Sequence, residues 1–229
     1  MRSQAVVAAA AFLSIVSGAA LASSETRSVP AFEGVHIASG IRATVAIGPL
    51  QPVQLEGDAE VLAKVEVVVE NGQLRVGFKP DTHWNHGGEV RATIQTPRLR
   101  DLGASGGSIV TAELTRSEKS GVQASGGSEL HLRGVDATDL AVQGSGGSIV
   151  EVAGRAQSLS LHLSGGSRFK GRDFSARDLE VHGSGGSEAR VSASGDVRGG
   201  LSGGSQLFVR GAASARVSTS GGSQVERDD

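Results

Sequence analysis

The tetrapeptide Ser-Gly-Gly-Ser occurs seven times in this sequence, and its repetition constrains the fold more than any other feature. The copies begin at Ser105, Ser125, Ser145, Ser164, Ser184, Ser202 and Ser220, so that successive copies lie 18 to 20 residues apart. Short Gly-Ser sequences are typical of flexible linkers. Here, however, they stand between apolar, β-branched runs, and a flexible linker does not explain why the runs recur with the copies.

Apolar and polar residues alternate in the same register around every copy. Counting from the first Ser, apolar residues recur three positions before it and five and seven positions after it. The sixth position after it is mostly polar: Thr111, His131, Glu151, Lys170, Arg190, Phe208 and Glu226. This period of two predicts half-buried strands.

A unit of this length cannot bury its apolar face alone, and a self-similar period near 20 residues is typical of a solenoid. The sequence therefore predicts an all-β fold, a parallel β-helix with about 18–20 residues per repeat. We expect each Gly-Gly to form a rigid corner, and the stacked Ser side chains to exchange hydrogen bonds between rungs. A left-handed helix of hexapeptides needs a multiple of six residues, which the 19- and 20-residue spacings do not supply. The prediction is thus a right-handed helix.

The region before the first copy, residues 29–104, lacks the motif but is rich in strand patterns. "VHIASGIRATVAIG" (Val35 to Gly48) is a degenerate unit with its bend at Ser39-Gly40, and Asn71-Gly72 predicts a hairpin. Residues 58–65 predict the single short helix, with Asp58 as its N-cap. Because no linker interrupts the chain, we predict one β-helix domain over residues 23–229, with irregular N-terminal rungs at 29–104 and the seven repeats at 105–229.

Residues 1–22 have the pattern of an export signal. Arg2 precedes an Ala-rich apolar stretch, and Ala20-Leu21-Ala22 is a small-x-small cleavage site. We predict cleavage after Ala22, a mature protein without an integral membrane segment, and a periplasmic, extracellular or cell-surface location. The protein contains no cysteine, so disulfides do not stabilise it. Its 22 Lys and Arg against 24 Asp and Glu, mixed along the chain, argue against a nucleic-acid partner.

Two groups of histidines are candidate sites. The loop His83-Trp84-Asn85-His86, together with Glu89, offers three side chains of the kinds that bind metals, or it is simply a polar loop. Two positions before the first Ser of consecutive copies stand Gln123, Gln143, His162 and His182. If the copies stack, these four form an outward ladder that binds an extended ligand, holds a metal between the two histidines, or is only a hydrogen-bonded column.

The acidic and aromatic residues of the sequence show no pattern that predicts an active site. The acids Glu113, Glu151, Glu188 and Asp196 stand at different offsets in their units, so no carboxylate pair of the glycosidase type is predicted. Side chains that could stack on sugars are limited to Trp84, Phe169, Phe174 and Phe208. We predict no catalytic residue, no cofactor and no metal ligand, and we expect chelation to leave the thermal midpoint unchanged.

The order of elements resembles that of a known family. "FEGVHIASGIRATVAIG" is followed by "GDAEVLAKVEVVVENGQLRVGF", by the pair Trp84-Asn85, by "VRATIQTPRLRDLGASGGS" and by the Gly/Ser units. In this order the chain is similar to the putative auto-transporter adhesin, head GIN domain family. The resemblance implies a right-handed β-helix without an established enzymatic activity.

We therefore expect a non-enzymatic exported β-solenoid, an adhesin-like binding or structural module of the bacterial envelope, whose partner is an envelope protein or a glycan. The alternative is a polysaccharide-active β-helix enzyme, either a lyase or a hydrolase.

Overall fold

The computed structural model describes residues 23–80, 88–211 and 214–227. The predicted export signal and the loop His83-Trp84-Asn85-His86 lie outside these residues. The elements are β1 (Ser23–Arg27), β2 (Gly34–Ile37), β3 (Arg42–Ile47), β4 (Val53–Gly57), α1 (Ala59–Leu62), β5 (Val65–Glu70), β6 (Gln73–Phe78), β7 (Arg91–Thr96), β8 (Asp101–Ala104), β9 (Ile109–Glu113), β10 (Ser117–Ala124), β11 (Glu129–Gly144), β12 (Ile149–Leu163), β13 (Arg168–Gly183), β14 (Glu188–Ala193), β15 (Asp196–Leu201), β16 (Gln206–Arg210), β17 (Ser214–Thr219) and β18 (Gln224–Arg227). The protein is an all-β solenoid with one short helix, as predicted; its handedness stays a prediction.

Each Ser-Gly-Gly-Ser copy forms a tight turn between two strands. In the third copy Gly146 and Gly147 have φ of +62° and +76°, and the N–H of Ser148 donates to the carbonyl oxygen of Ser145 at 3.3 Å. Two consecutive residues with positive φ define a turn of type I′, which glycine adopts without steric cost. The N–H of Gly147 also donates to the carbonyl oxygen of Gly165 in the next copy, at 2.9 Å. The motif is thus a rigid, hydrogen-bonded corner.

The second Ser is buried in the first six copies, and its hydroxyl connects successive rungs. Ser148 Oγ donates to the carbonyl oxygen of Ala124 in the preceding rung at 3.0 Å and accepts from the N–H of Ser145 at 3.2 Å. Ser128 and Ser167 make the equivalent bonds. The predicted hydrogen bonding between rungs is therefore confirmed for the second Ser column.

The burial pattern divides each full rung of the repeat region into three segments. In β11 the alternation is interrupted at Arg133-Gly134 and at Thr138-Asp139, where two consecutive residues are exposed. Since successive strand residues point to opposite sides, the chain bends at these two places. The middle segment is also a strand, because residues 135–137 pair in register with residues 154–156 of the next rung.

Two of these segments carry the candidate sites. The post-corner face consists of the segments that follow the corners: residues 109–113, 129–133, 149–153, 168–171, 188–192, 206–210 and 224–227. The pre-corner face consists of the segments that precede them: residues 101–104, 120–124, 140–144, 159–163, 179–183, 197–201 and 215–219. Both are parallel ladders in which the rungs are about 4.8 Å apart.

Inward side chains fill the space between the segments with one continuous core. In the column directly before the corner, glycine and leucine alternate in four successive rungs: Gly144, Leu163, Gly183 and Leu201. A Cβ atom added at Gly144 would lie 2.8 Å from Leu163 Cδ2, and one at Gly183 would lie 2.8 Å from Leu201 Cδ2. Each glycine therefore leaves the room that the leucine of the next rung occupies.

The N-terminal rungs do not stack in chain order. β2 lies between β6 and β8, and β3 lies between β7 and β9, with all of these pairs parallel. The rung β2–β3 is therefore inserted between the rung β6–β7 and the first Ser-Gly-Gly-Ser rung. Its corner is the predicted degenerate one, with Ser39 and Gly40 at φ of +64° and +74°.

Antiparallel strands close this end of the solenoid. β5 pairs with β6 through the predicted hairpin at Asn71-Gly72, while β4 pairs with β7 and β1 pairs with β4. The helix α1 connects β4 to β5 and buries Leu62. Asp58 is the N-cap residue, as predicted, but its side chain makes no capping hydrogen bond. The helix ends at Leu62, earlier than the predicted Val65, which begins β5.

Candidate functional site

The predicted ladder exists on the pre-corner face. Gln123, Gln143, His162 and His182 pair in register from rung to rung, and all four are exposed. The rings of His162 and His182 stack with their centroids 5.0 Å apart and an interplanar angle of 26°. The spacing of the copies was sufficient to predict this column, because outward residues at one offset must align once the corners stack.

A groove runs beside the ladder, and we call it the ladder groove. It has a volume of about 520 Å³. One wall is the ladder, and the other is the column of first serines, Ser125, Ser145, Ser164, Ser184 and Ser202. The residues between the two walls point into the core, which leaves their backbone as the floor of the groove.

His36 closes the N-terminal end of the ladder groove. Its Nε2 lies 3.1 Å from Ser105 Oγ, and its ring covers Gly103, where an added Cβ would lie 2.3 Å from the ring Nδ1. Burial lowers the pKa of His36 below its ordinary value, and the nearby charge of Arg75 lowers the pKa further. Sequence reasoning missed this residue, although it stands two positions before Ala38, the counterpart of a first Ser.

The walls of the ladder groove carry hydrogen-bonding groups of low charge. Amide, imidazole and hydroxyl groups supply both donors and acceptors. The nearest carboxylate contact is Glu180 Oε1, 3.3 Å from His182 Nε2. No three His, Asp or Glu side chains gather as a metal site within the described ranges. This arrangement is suited to hydrogen bonding along an extended ligand.

Of the second histidine group, only Glu89 lies in the described part of the chain. Its carboxylate is 3.0 Å from Arg42 Nε and 3.1 Å from Arg91 Nε. The hydrogen bond from Arg91 is the main reason why the pKa of this carboxyl is lowered. Glu89 therefore serves an ion-pair cluster of β3 and β7.

Two of the four side chains that could stack on sugars are buried in the structure. Phe169 and Phe174 are buried and pack edge to face, with their centroids 6.4 Å apart at 87°. Phe208 is partly exposed, but Arg190 lies over its ring at 4.3 Å. Trp84 lies outside the described residues. Phe169 and Phe174 are therefore not available for stacking on a sugar, and Arg190 occupies one face of the Phe208 ring.

A second groove, which sequence reasoning missed, lies on the post-corner face. It has a volume of about 610 Å³ and is lined by four exposed cations, Arg133, Arg168, Lys170 and Arg172. We call it the cationic groove. Glu151 and Glu188 also line it, in different columns and with the rung of Lys170 between them. The alternating cations of "SRFKGRD" were the signal in the sequence.

The sequence that forms these rungs matches a known protein family. Residues 31–213 match the family described as "Putative auto-transporter adhesin, head GIN domain". The chain belongs to this family. The resemblance seen in the sequence is thereby confirmed.

Solved structures of low sequence identity share this head GIN fold. A putative adhesin from Bacteroides fragilis NCTC 9343 has a TM-score of 0.84 at 16% identity, over 91% of this chain and 97% of that one. A putative lipid binding protein from Parabacteroides distasonis ATCC 8503 has a TM-score of 0.67 at 13% identity, over 91% and 97%. A putative adhesin from Parabacteroides merdae ATCC 43184 has 0.62 at 14%, over 91% and 96%. A comparison with curated proteins found no match.

Within residues 23–80, 88–211 and 214–227, no helix has the length and apolar character that crossing a bilayer requires.

Proposed function

We propose that this protein is an exported, non-enzymatic, adhesin-like binding module of the bacterial envelope, and that its ladder groove binds an extended, uncharged polymer such as a neutral glycan chain. Membership of the adhesin-named family supports the general role. The observation that carries the proposal is the groove itself, whose two polar walls keep the same register over successive rungs.

The regular spacing of the ladder suits a ligand that is itself repetitive. Rungs about 4.8 Å apart present the same kind of group at each step. A single hydrogen bond contributes only about 0.5–1.5 kcal/mol net, so that affinity has to come from several rungs acting together. A short ligand that spans one or two rungs is expected to bind weakly, and a longer chain of the same sugar is expected to bind more tightly.

The binding test uses residues 23–229 and a panel of neutral oligosaccharides, with affinities measured by titration calorimetry. The variant Gln123→Ala/Gln143→Ala removes two rungs of the ladder, whereas Gln157→Ala/Gln206→Ala removes two exposed glutamines elsewhere. We expect about a tenfold loss of affinity, or about 1.4 kcal/mol, only for the ladder variant. Equal losses in both variants would contradict a site in the ladder groove.

The same titrations test the non-enzymatic part of the proposal. We expect bound oligosaccharides to be recovered intact after long incubation. New reducing ends or unsaturated products would favour the polysaccharide-active enzyme instead.

Export is tested on the protein recovered from its native host. Ser23, the first residue after the predicted cleavage site, already pairs with Gly57 in the antiparallel ladder of β1 and β4, so a chain that starts there keeps this strand. Mass spectrometry is expected to find an N-terminus at Ser23 in the periplasmic or extracellular fraction. Recovery of residues 1–22 on cytoplasmic protein would contradict export.

A further inference from the structure

The cationic groove brings together four exposed cations that have no ion-pair partner among the residues that the structure describes. Elsewhere in the described part of the chain, arginines commonly lie beside an acid of the same or the neighbouring rung, as Arg155 does with Asp136 at 3.1 Å and Arg91 with Glu89 at 3.1 Å. Arg133, Arg168, Lys170 and Arg172 make no ion pair with any described residue.

The lining of this groove contains more cations than acids, because Arg190 adds to the four unpaired cations and the acids are Glu151, Asp173 and Glu188. Glu188 is held by Arg190 at 2.7 Å, and Arg190 is further fixed over the ring of Phe208. Glu151 lies 3.6 Å from His131 Nδ1. Asp173 is the one other acid in the lining. The groove therefore carries an excess of positive charge on a protein whose formal net charge is −2.

The backbone holds the four cations in a regular array. Arg168 and Lys170 are alternate residues of β13 and point outward on the same face, so that they are about 6.6 Å apart along the strand. β13 then departs from its regular register between Gly171 and Ser175, and Arg172 lies in this irregularity. Such bulges re-aim side chains. Arg172 and Arg133 stand two rungs apart, with the small side chain of Ala153 in the rung between them.

This array fits separate carboxylates at regular intervals along a chain. Guanidinium groups bind carboxylates with two parallel hydrogen bonds. A continuous anionic surface such as a lipid headgroup layer would also meet the acids Glu151, Asp173 and Glu188 of the same groove. A single-stranded nucleic acid needs aromatic platforms for its bases, and the one phenylalanine that lines this groove, Phe169, is buried.

We propose that the cationic groove is a second binding site, separate from the ladder groove, and that it takes an acidic polysaccharide whose sugars carry carboxylates. The polysaccharide spans the rung of Arg168, Lys170 and Arg172 and the rung of Arg133, which are two rungs apart, and its carboxylates pair with the four cations. The site does not depend on the ligand proposed for the ladder groove, because the two grooves lie on different faces of the solenoid.

The test measures binding of oligogalacturonides of one defined length to residues 23–229 by titration calorimetry. The fully methyl-esterified oligomer of the same length is the uncharged control ligand. We expect the acid to bind at least about tenfold more tightly than the ester, with an affinity that falls as salt is added. Equal affinities for acid and ester would overturn the proposal.

Two matched pairs of substitutions locate the site. Arg168→Gln/Lys170→Gln removes two cations from the groove, and Lys119→Gln/Arg216→Gln removes two exposed, unpaired cations outside it. We expect about a tenfold loss only for the first pair, with both proteins unfolding at the same denaturant midpoint because all four side chains are exposed. Equal losses would mean attraction by overall charge and would overturn the assigned site.

Two further arms separate this site from other interpretations. Gln123→Ala/Gln143→Ala is expected to bind the oligogalacturonide as the unmodified protein does, which keeps the result independent of the ladder groove. Single-stranded oligonucleotides and vesicles containing phosphatidylglycerol are expected to bind more weakly than the oligogalacturonide. Tighter binding of either would replace the acidic polysaccharide as the occupant.

Discussion

The repeat rungs and the N-terminal rungs use the same parallel architecture but obey different rules. From β8 onward, each rung stacks on the one before it in chain order and turns at the same four-residue corner. The N-terminal rungs stack out of chain order and end in the antiparallel strands β1, β4 and β5. Repetition is thus sufficient to extend the solenoid, whereas closing it requires strands of a different kind, since an open edge can pair with other chains.

The corners of the two regions show what the glycines are needed for. Ser39 has φ of +64°, at the position where the repeats have the first glycine. In the repeats, a Cβ atom at Gly146 would lie 3.0 Å from the backbone nitrogen of Gly126 in the preceding corner. Residues 79–90, which join β6 to β7 in the rung ahead of Ser39, contain no Ser-Gly-Gly-Ser sequence. We infer that crowding by the preceding corner, added to the positive φ, excludes side chains in the repeats.

The largest effect is expected from Gly146→Val, in the middle of the repeats. Valine at this position would have to adopt a φ of +62°, and its Cβ atom would lie 3.0 Å from the backbone nitrogen of Gly126. Neither strain is relieved without moving the backbone of the corner. The expected loss is about 3 kcal/mol or more of unfolding free energy, measured by denaturant titration.

Gly221→Val is the control, because its φ of +60° and its 3.0 Å contact with Gly203 nitrogen match those of Gly146. In the last described rung the same strain is expected to loosen β17 and β18 alone, seen as fast amide exchange there, with little change in the main unfolding transition. Equal losses of global stability would mean that the last rung is as essential as the middle ones.

A smaller loss is expected from Ser148→Ala. The buried hydroxyl bonds the Ala124 carbonyl oxygen and the Ser145 N–H, so that its removal weakens the corner by about 1–2 kcal/mol. Ser145→Ala removes a hydroxyl at the surface of the same corner and serves as the control. Denaturant midpoints that fall equally in both variants would argue against a special role for the second Ser column.

An effect of opposite sign tests the two corners directly. Ser39→Gly relieves a left-handed non-glycine residue and is expected to stabilise the protein by at most about 1 kcal/mol, since the flexible unfolded chain offsets part of the gain. Gly126→Ser gives a repeat corner the Ser-Gly pair that residues 39–40 have. The new Cβ atom would lie 3.2 Å from the backbone nitrogen of Gly106, so this change is expected to destabilise the protein. Thermal unfolding measures both. If both changes destabilised, the two corners would not differ as we infer.

The smallest expected effect concerns pH and the N-terminal rung. Because burial and Arg75 lower the pKa of His36 in the folded protein, the unfolded chain binds a proton that the folded chain does not. Stability is then full above the ordinary histidine pKa, about 6.5, and declines as the pH falls below it. His36→Gln, which copies Gln123 and Gln143, is expected to flatten this decline in unfolding midpoints measured from pH 8 to pH 5 (about the range in which histidine titrates). An unchanged slope would assign the decline to other groups.

The sequence was most informative where residues recur at a fixed offset. The corners, the inward columns and the ladder from Gln123 to His182 all follow from one register, and Asn71-Gly72 identifies its hairpin locally. The stacking order of β2–β3 could not be predicted, because nothing in a strand's own residues specifies which later rung will lie beside it. The N-cap position of Asp58 was predictable from its residue type, but the helix is a single turn and Asp58 makes no side-chain capping bond.

The candidate sites were predictable to different degrees. The ladder needed only the repeat, whereas His36 required the knowledge that β2 lies next to β8. Phe169 stands at the apolar fifth position after Ser164, so its burial follows from the register, and Gly171 leaves space beside its ring. The burial of Phe174 is not specified by the repeat. The cationic groove depends on which charges remain unpaired across rungs, and that is decided by three-dimensional neighbours.

The alternation of Gly144, Leu163, Gly183 and Leu201 limits how this array can change its length during evolution. Loss of the rung that carries Leu163 would place glycine beside glycine and open a cavity, while loss of the rung that carries Gly183 would force two leucines into one space. Removal of two adjacent rungs restores the alternation. We therefore expect unequal recombination in this part of the gene to be tolerated in steps of two units, and single-unit gains or losses to need a compensating substitution in the neighbouring rung.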